Sequence, residues 1–304
     1  MDIFMTGGTG FVGTTLSEEL ARRGHRVTIL TRPGEPLTHK GERPDISYLT
    51  GDPSQPEGWV DRAAECEVFI NLAGASIFSR WNESRKRAIR ESRLATTRNL
   101  VRAIERRKEK ETTLISTSAV GYYGFHGDER LVESDPPGRD FLASVAADWE
   151  GAALEAAQYG ARVVLCRFGI VLGKHGGALG QMLPLFRSWL GSPLGSGDQW
   201  FSWIHEKDLV NIYCHVLDHA ELEGPINCAS PDPVRNRELT RALGQALGKP
   251  LFLPPVPSFV LKLVLGEFGT VLLKGQRTYP EKLLQGGFQF TFPAIEEALR
   301  DIIP

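Results

Sequence analysis

Short apolar runs alternate with longer stretches of helical periodicity through the first half of the chain. Asp2–Met5 is a brief apolar run that breaks into glycines, after which Thr14–Arg23 repeats its apolar positions at helical spacing and stops at Gly24. Arg26–Leu30, Ile46–Leu49 and Val68–Leu72 read as strands, the last closed by Gly74. From Glu83 to Arg107 a charged, amphipathic stretch sets Ile89, Leu94, Leu100, Val101 and Ile104 on one helical face. Thr113–Ser116 predicts the next strand, Phe141–Tyr159 the next helix and Arg162–Arg167 a further strand. Strands alternating with helices imply a parallel sheet with helices on both faces.

Beyond Leu172 the rhythm breaks into glycine- and proline-rich pieces. Met182–Leu190, Lys207–Leu217 and Arg237–Leu247 predict helices, and Pro225–Ala229 a short strand that rejoins the main sheet. The tail is rich in prolines and aromatics, among them Pro254, Pro255, Pro257, Phe259 and Tyr279. The expected fold class is therefore α/β, a Rossmann-type doubly wound parallel sheet with a smaller α/β C-terminal lobe. The expected division is a dinucleotide-binding part over residues 1–173 and a substrate-side lobe over 174–304, with a distinct C-terminal segment at 250–304.

The sharpest motif is Thr6-Gly7-Gly8-Thr9-Gly10-Phe11-Val12-Gly13, which follows a strand and opens a helix. Gly7 allows a tight turn, Gly10 lets backbone approach a pyrophosphate, and Gly13 lets helix pack on strand. Free N–H groups at the start of the helix, from Phe11 and Val12 onward, then face the phosphates. Dinucleotide folds that take NAD place an acid at the end of the second strand. Here that strand ends Leu30-Thr31-Arg32-Pro33, with no acid before Glu35. A hydroxyl and a guanidinium suit a 2′-phosphate, so Thr31 and Arg32 point to NADP(H). Asp52, after the third strand, is a candidate acceptor for the adenine amino group, and Leu72-Ala73-Gly74 lets backbone pass beside the cofactor.

In order and spacing these elements resemble the extended short-chain dehydrogenase/reductases. More narrowly, the chain resembles an NAD-dependent epimerase/dehydratase subgroup carrying a small C-terminal domain of undefined role. TGGTGFVG, NLAG, RWNESRKRAIRESRLATTRNLV, STSAVGYYG, GIVLGKHGGALGQMLP, WIHEKDL and LLKGQRTYPEKLLQGGF carry the likeness. The resemblance implies hydride transfer at a carbon bearing oxygen, with a tyrosine as acid/base, a lysine four residues later and a serine steadying the substrate oxygen. Ser118 takes the serine's place. The tyrosine and lysine positions fall on Leu142 and Ala146, and no Tyr-x-x-x-Lys occurs anywhere in the chain.

Tyr122 and Tyr123, just past Ser118, are the candidate substitutes; the alternative is that both pack against the cofactor or the second lobe. The resemblance also implies a cofactor contact for Arg93, which would otherwise be a solvated charge on its helix. His205 and Asp208 form a further polar pair where the family closes its substrate cleft, with a helix cap as the plainer role. Trp81, Trp200, Phe201 and Trp203 either line a cleft for a flat apolar substrate or pack the lobe.

Bulk properties narrow the classes further. The chain has 304 residues, 24% of them charged, and a net charge of -2. That balance offers no basic field for nucleic acid or an anionic membrane, and no apolar run approaches the roughly 18–20 residues that span a bilayer. The opening MDIFMTGGTG has neither a basic n-region nor a cleavage site, so no signal peptide is expected. Four cysteines, Cys66, Cys166, Cys214 and Cys228, sit apart in apolar stretches with no metal-ligand spacing, which predicts a reducing compartment, the cytoplasm, and no metal. The densely charged 83–107 helix predicts a monomer or weak dimer. Two functional readings follow: an NADP(H)-dependent oxidoreductase or epimerase-like enzyme acting on a small molecule, or an NADP(H)-binding protein that senses redox state without turnover.

Overall fold

A computed structural model describes residues 1–35, 44–107, 110–174 and 176–303. Its first half runs β1 (Asp2–Thr6), α1 (Phe11–Arg22), β2 (Arg26–Thr31), β3 (Ile46–Thr50), α2 (Val60–Ala63), β4 (Val68–Asn71), α3 (Glu83–Glu105), β5 (Thr113–Ala119), β6 (Arg130–Leu131), α4 (Phe141–Leu154) and β7 (Arg162–Phe168). The second half adds β8 (Ile170–Gly173), α5 (Gly177–Arg187), β9 (Trp200–Phe201), β10 (Trp203–His205), α6 (Glu206–Asp218), β11 (Gly224–Cys228), β12 (Val234–Arg235) and α7 (Asn236–Ala246). The C-terminal segment contributes α8 (Ser258–Leu265), α9 (Glu267–Leu272), β13 (Arg277–Thr278), α10 (Glu281–Gln285) and α11 (Ile295–Ile302).

Seven parallel strands form the central sheet in the order β11-β7-β5-β4-β1-β2-β3. Alternate side chains of each strand enter opposite cores, as the two-residue period of a strand requires. Ile3, Met5, Ile29, Ile70, Ile115 and Val164 meet α1 and α6 on one face. Phe4, Leu30, Phe69, Leu114, Val163 and Leu165 meet α2, α3 and the end of α4 on the other. Burial on both faces explains why these strands read as nearly unbroken apolar runs.

Several predicted boundaries move for local reasons. The helix over Phe141–Tyr159 is α-helical only to Leu154 and tightens into a 3₁₀ turn over Glu155–Tyr159, closed by Gly160 at φ +77. The helix expected at Met182–Leu190 begins earlier, at Gly177, and ends at Arg187, two residues before Trp189 takes a positive φ of 63. The inner face of α3 carries Thr96, Thr97 and Asn99 beside its aliphatics; these polar groups are satisfied, Asn99 donating to Pro53 O and Thr97 accepting from Asn71 and Trp149. The strand near 225–229 is β11, in register with β7 at the sheet edge.

A separate apolar core joins α5, α7, α11 and β10 through Leu179, Trp203, Leu239, Leu243, Ile295 and Leu299. It is tied to the main body at Asp208 on α6, fully buried, which accepts from Thr291 N at 2.8 Å and Phe292 N at 2.9 Å.

Candidate nucleotide-binding and active site

At β1 and β4 the strand order reverses, and α1 and α3 leave toward opposite faces, opening a crevice at the C-terminal ends of the strands. Gly7 sits in that crevice at φ +71, where a Cβ would lie 2.7 Å from the Leu72 carbonyl carbon. A Cβ on Gly13 would stand 2.2 Å from Gly7 O, so the first turn of α1 presses directly on the loop. Gly10 differs: its nearest neighbour is Gly7 O at 3.2 Å and its outer side is exposed. Gly10 also caps α1 without a side-chain acceptor, and the first turn holds no acid. The amides there are left for an anion from outside the chain. Thr9, Phe11 and Val12 are half-buried around them, with the Phe11 ring tucked under Gly173 and Gly176.

At the end of β2 the chain supplies an anion of its own. A turn from Arg32 to Glu35, closed by Glu35 N donating to Arg32 O, brings the Glu35 carboxylate back to the strand end. It accepts from Thr31 Oγ1 at 3.4 Å and Arg32 N at 3.3 Å, and lies 3.9 Å from Arg32 Nη1. Glu35, the first acid after β2 in the sequence, is through this turn the anion that Thr31 and Arg32 hold. Asp52 Oδ1 accepts from both Ser54 N and Ser54 Oγ, which hold its carboxyl below the usual range.

Leu72-Ala73-Gly74 leaves β4 alongside Gly7, and a Cβ on Gly74 would touch Arg93 Cζ at 3.1 Å. Arg93 spans the gap, donating to Ala75 O at 3.1 Å and Ile89 O at 2.9 Å, 5.1 Å above the Trp149 ring. It has no carboxylate partner among the described residues, and burial pulls its guanidinium down to about 10. Beneath the crevice Asn71 accepts from Thr6 Oγ1 and donates to Thr97 Oγ1 and Ser116 Oγ, knitting β1, β4, α3 and β5.

The strand ends beyond carry a buried polar network. Ser118 Oγ donates to Glu150 Oε1 at 2.6 Å, and Arg167 forks onto both Glu150 oxygens at 2.8 Å. Arg167 also donates to Tyr123 Oη, which donates to Asn227 Oδ1 at 2.7 Å. Tyr123 is fully buried, and burial pushes its phenol up to about 12. Its hydroxyl thus links the turn after β5 to β7 and β11. Tyr122 behaves differently: half-buried, its ring lies 3.5 Å from Arg167 Cζ, and its hydroxyl makes no hydrogen bond among the described residues. Leu142 and Ala146 stand on α4 where the resemblance calls for tyrosine and lysine. Leu142 faces Gly121 and packs in one apolar cluster with Trp81, Phe141 and Phe268 of α9.

His205 caps α6, its Nδ1 accepting from Lys207 N, so the ring proton belongs on Nε2, 3.3 Å from Asp301 Oδ2. It is fully buried against Phe292 and does not pair with Asp208. Trp81, Phe201 and Trp203 pack in cores, while Trp200 lies between Arg235 and Arg277. Sequence reading missed Glu150, Arg167 and Glu133. Arg167 alone carried a signal, as a charge inside the apolar run Val163–Phe168.

A family model for the NAD dependent epimerase/dehydratase family matches residues 3–229, and one for a domain of unknown function (DUF1731) matches residues 256–302. Among curated relatives, the chloroplastic epimerase family protein SDR39U1 homolog of Arabidopsis thaliana is 40% identical over all of this chain and 87% of its own length. YfhF of Bacillus subtilis is 38% identical, covering 100% and 98%. The crystal structure of human epimerase family protein SDR39U1 (isoform 2) with NADPH superposes with a TM-score of 0.86 at 34% identity, covering 100% and 99%. A Thermus thermophilus UDP-glucose 4-epimerase in complex with NAD, 23% identical with a TM-score of 0.77, shares the fold. The chain belongs to the NAD-dependent epimerase/dehydratase family and carries that family's Rossmann-type sheet with a DUF1731 segment at its C-terminus.

Proposed function

We propose that the chain binds NADP(H) across the β1–β4 crevice and is an oxidoreductase or epimerase-like enzyme acting on a small molecule. The observation that carries the binding is the Gly7–Gly13 loop, too tight for any side chain at either end and open at Gly10. NADPH in the human SDR39U1 structure supports the same cofactor here. Phe11 and Val12 amides would hold the pyrophosphate, and Arg93, with no carboxylate of its own, would add a positive charge beside Gly74. Thr31 and Arg32 would take the 2′-phosphate, replacing the weaker Glu35 anion with a dianion. Asp52 would meet the adenine. The cofactor supplies hydride chemistry when bound.

On the chain's own side, Tyr122 is the proton group this reading assigns, because its hydroxyl is uncommitted while Arg167 lies against its ring. Ser118, whose proton goes to Glu150, orders the polar floor and reaches a substrate oxygen only by giving that bond up. Four buried, unpaired cysteines support a reducing compartment such as the cytoplasm. Among the described residues no helix is long and apolar enough to cross a membrane.

A second reading, NADP(H) binding without turnover, draws on Leu142 and Ala146 and on the α9 cluster over Leu142. One experiment separates the two. The protein as purified is analysed for bound nucleotide by mass spectrometry, then mixed with NADPH and a panel of carbonyl compounds. The enzyme reading expects oxidation by at least one compound and its loss in Tyr122→Phe, with nucleotide affinity unchanged. Retained NADPH that stays inert to the whole panel supports the second reading. For the cofactor itself, Arg32→Ala is expected to weaken NADPH binding about 10–100-fold while leaving NADH unchanged. Equal affinities for both nucleotides, unmoved by the substitution, remove the 2′-phosphate assignment.

A further inference from the structure

Helix α8, Ser-Phe-Val-Leu-Lys-Leu-Val-Leu, is apolar around its circumference except for Ser258 at its start and Lys262. Such a helix is expected inside a core. Here Leu261 turns inward, while Phe259 and Leu263, four residues apart on one outward face, are 71% and 73% exposed. The chain leading into α8 behaves the same way, with Phe252 71% exposed. Phe252 stacks on Trp189, ring centroids 6.0 Å apart, and Lys249 Nζ lies 4.1 Å from the Trp189 ring. Trp189 is the only non-glycine residue at positive φ among the described residues, a strained conformation for a bulky side chain. Its backbone holds an indole outward where burial would ordinarily draw it in. The bridge between Leu194 and Val256, with Ser192 Oγ donating to Pro254 O, binds the two segments together.

Charge on these segments has one sign. No Asp or Glu occurs between Glu155 and Asp198, or between Glu238 and Glu267. Four basic residues in these stretches, Arg187, Arg241, Lys249 and Lys262, have no carboxylate partner among the described residues, although the whole chain is net -2. Aromatic and aliphatic tips on two stretches of chain that carry lysine and arginine but no Asp or Glu match an anionic lipid interface. A second copy of the chain fits poorly. A two-fold contact through this face would set Lys249 and Lys262 near their own counterparts with no acid to answer them.

We propose that α8, with the Trp189–Phe252 pair, docks the protein peripherally on the surface of an anionic bilayer, the apolar tips entering the headgroup boundary and the lysines meeting lipid phosphates. Nothing spans the membrane in this arrangement.

The test is co-sedimentation of the full chain with vesicles of phosphatidylcholine alone and of phosphatidylcholine mixed with phosphatidylglycerol. Pelleting with the mixed vesicles only, reversed by salt, is expected. Phe259→Ser combined with Leu263→Ser should abolish it. Because both side chains already face solvent, this variant should keep its melting temperature and its NADPH affinity. Lys249→Gln combined with Lys262→Gln, which leaves the apolar tips intact, should lower partitioning about thirtyfold. Failure to pellet with either vesicle overturns the proposal, as does pelleting that both variants leave unchanged. A concentration-dependent dimer that the Phe259/Leu263 variant dissolves, without vesicle binding, overturns it in favour of a self-interface.

Discussion

Gly13 and Glu133 show how far one residue constrains this fold. A methyl group on Gly13 would fall 2.2 Å from the backbone oxygen of Gly7, which cannot yield without moving α1 off β1. Gly13→Ala is expected to cost about 1–3 kcal/mol in chemical denaturation and to abolish NADPH binding measured by titration. Glu133 is a different kind of constraint. Its Oε1 accepts from Asn227 N at 3.0 Å and Lys282 N at 3.3 Å, while Oε2 is buried with no partner among the described residues. Burial raises its pKa. The unfolded carboxyl, near 4.3, releases its proton first as pH climbs, so Glu133 lowers stability progressively from that pH up through its folded pKa. Glu133→Gln is expected to flatten this slope, gaining on the parent protein in denaturant melts as pH rises above about 4.3. Parallel curves would mean that Glu133 is ionised in the fold. At this scale the glycines were legible because their spacing encodes backbone geometry. Glu35 and Ser118 were not, because a turn and a neighbouring carboxylate decide what they hold.

Among the elements, α4 and α6 matter most to the site. In α4 the positions of the expected acid/base pair carry Leu142 and Ala146, so the helix keeps its packing role while Glu150, one turn beyond Ala146, anchors Arg167 and Ser118. α6 holds the C-terminal segment through Asp208, a buried carboxylate whose two oxygens accept one backbone N–H each. Asp208→Ala leaves Thr291 N and Phe292 N unpaired, and a loss of about 3 kcal/mol is expected. Hydrogen exchange should accelerate at those two amides before it does in the central strands. Unchanged exchange there would mean that apolar packing by Ile295 and Leu299 alone holds the segment. The long helices and the sheet strands were readable from periodicity. The C-terminal helices were not, since α9 and α10 are six and five residues long and too short for a repeat to register.

For the molecule as a whole, alternation of strands and helices sufficed to predict the parallel sheet, and the short strand at Gly224–Cys228 completes its edge. Net charge was a poorer guide. A total of -2 hides two stretches, 156–197 and 239–266, that contain no Asp or Glu. If the lipid-docking proposal holds, the retention of the protein on vesicles should follow those stretches and not the total, and salt should weaken it accordingly. The order of the sheet has a consequence for synthesis. After β1, β2 and β3 form one flank, β4, β5, β7 and β11 each arrive beside a strand already made, so the sheet can grow outward in the order the ribosome delivers it. The donors for Asp208 and one donor for Glu133 come last, from residues 282–292. A nascent chain stopped short of them would have its sheet complete while Asp208 still lacked both backbone donors and Glu133 had only Asn227 N.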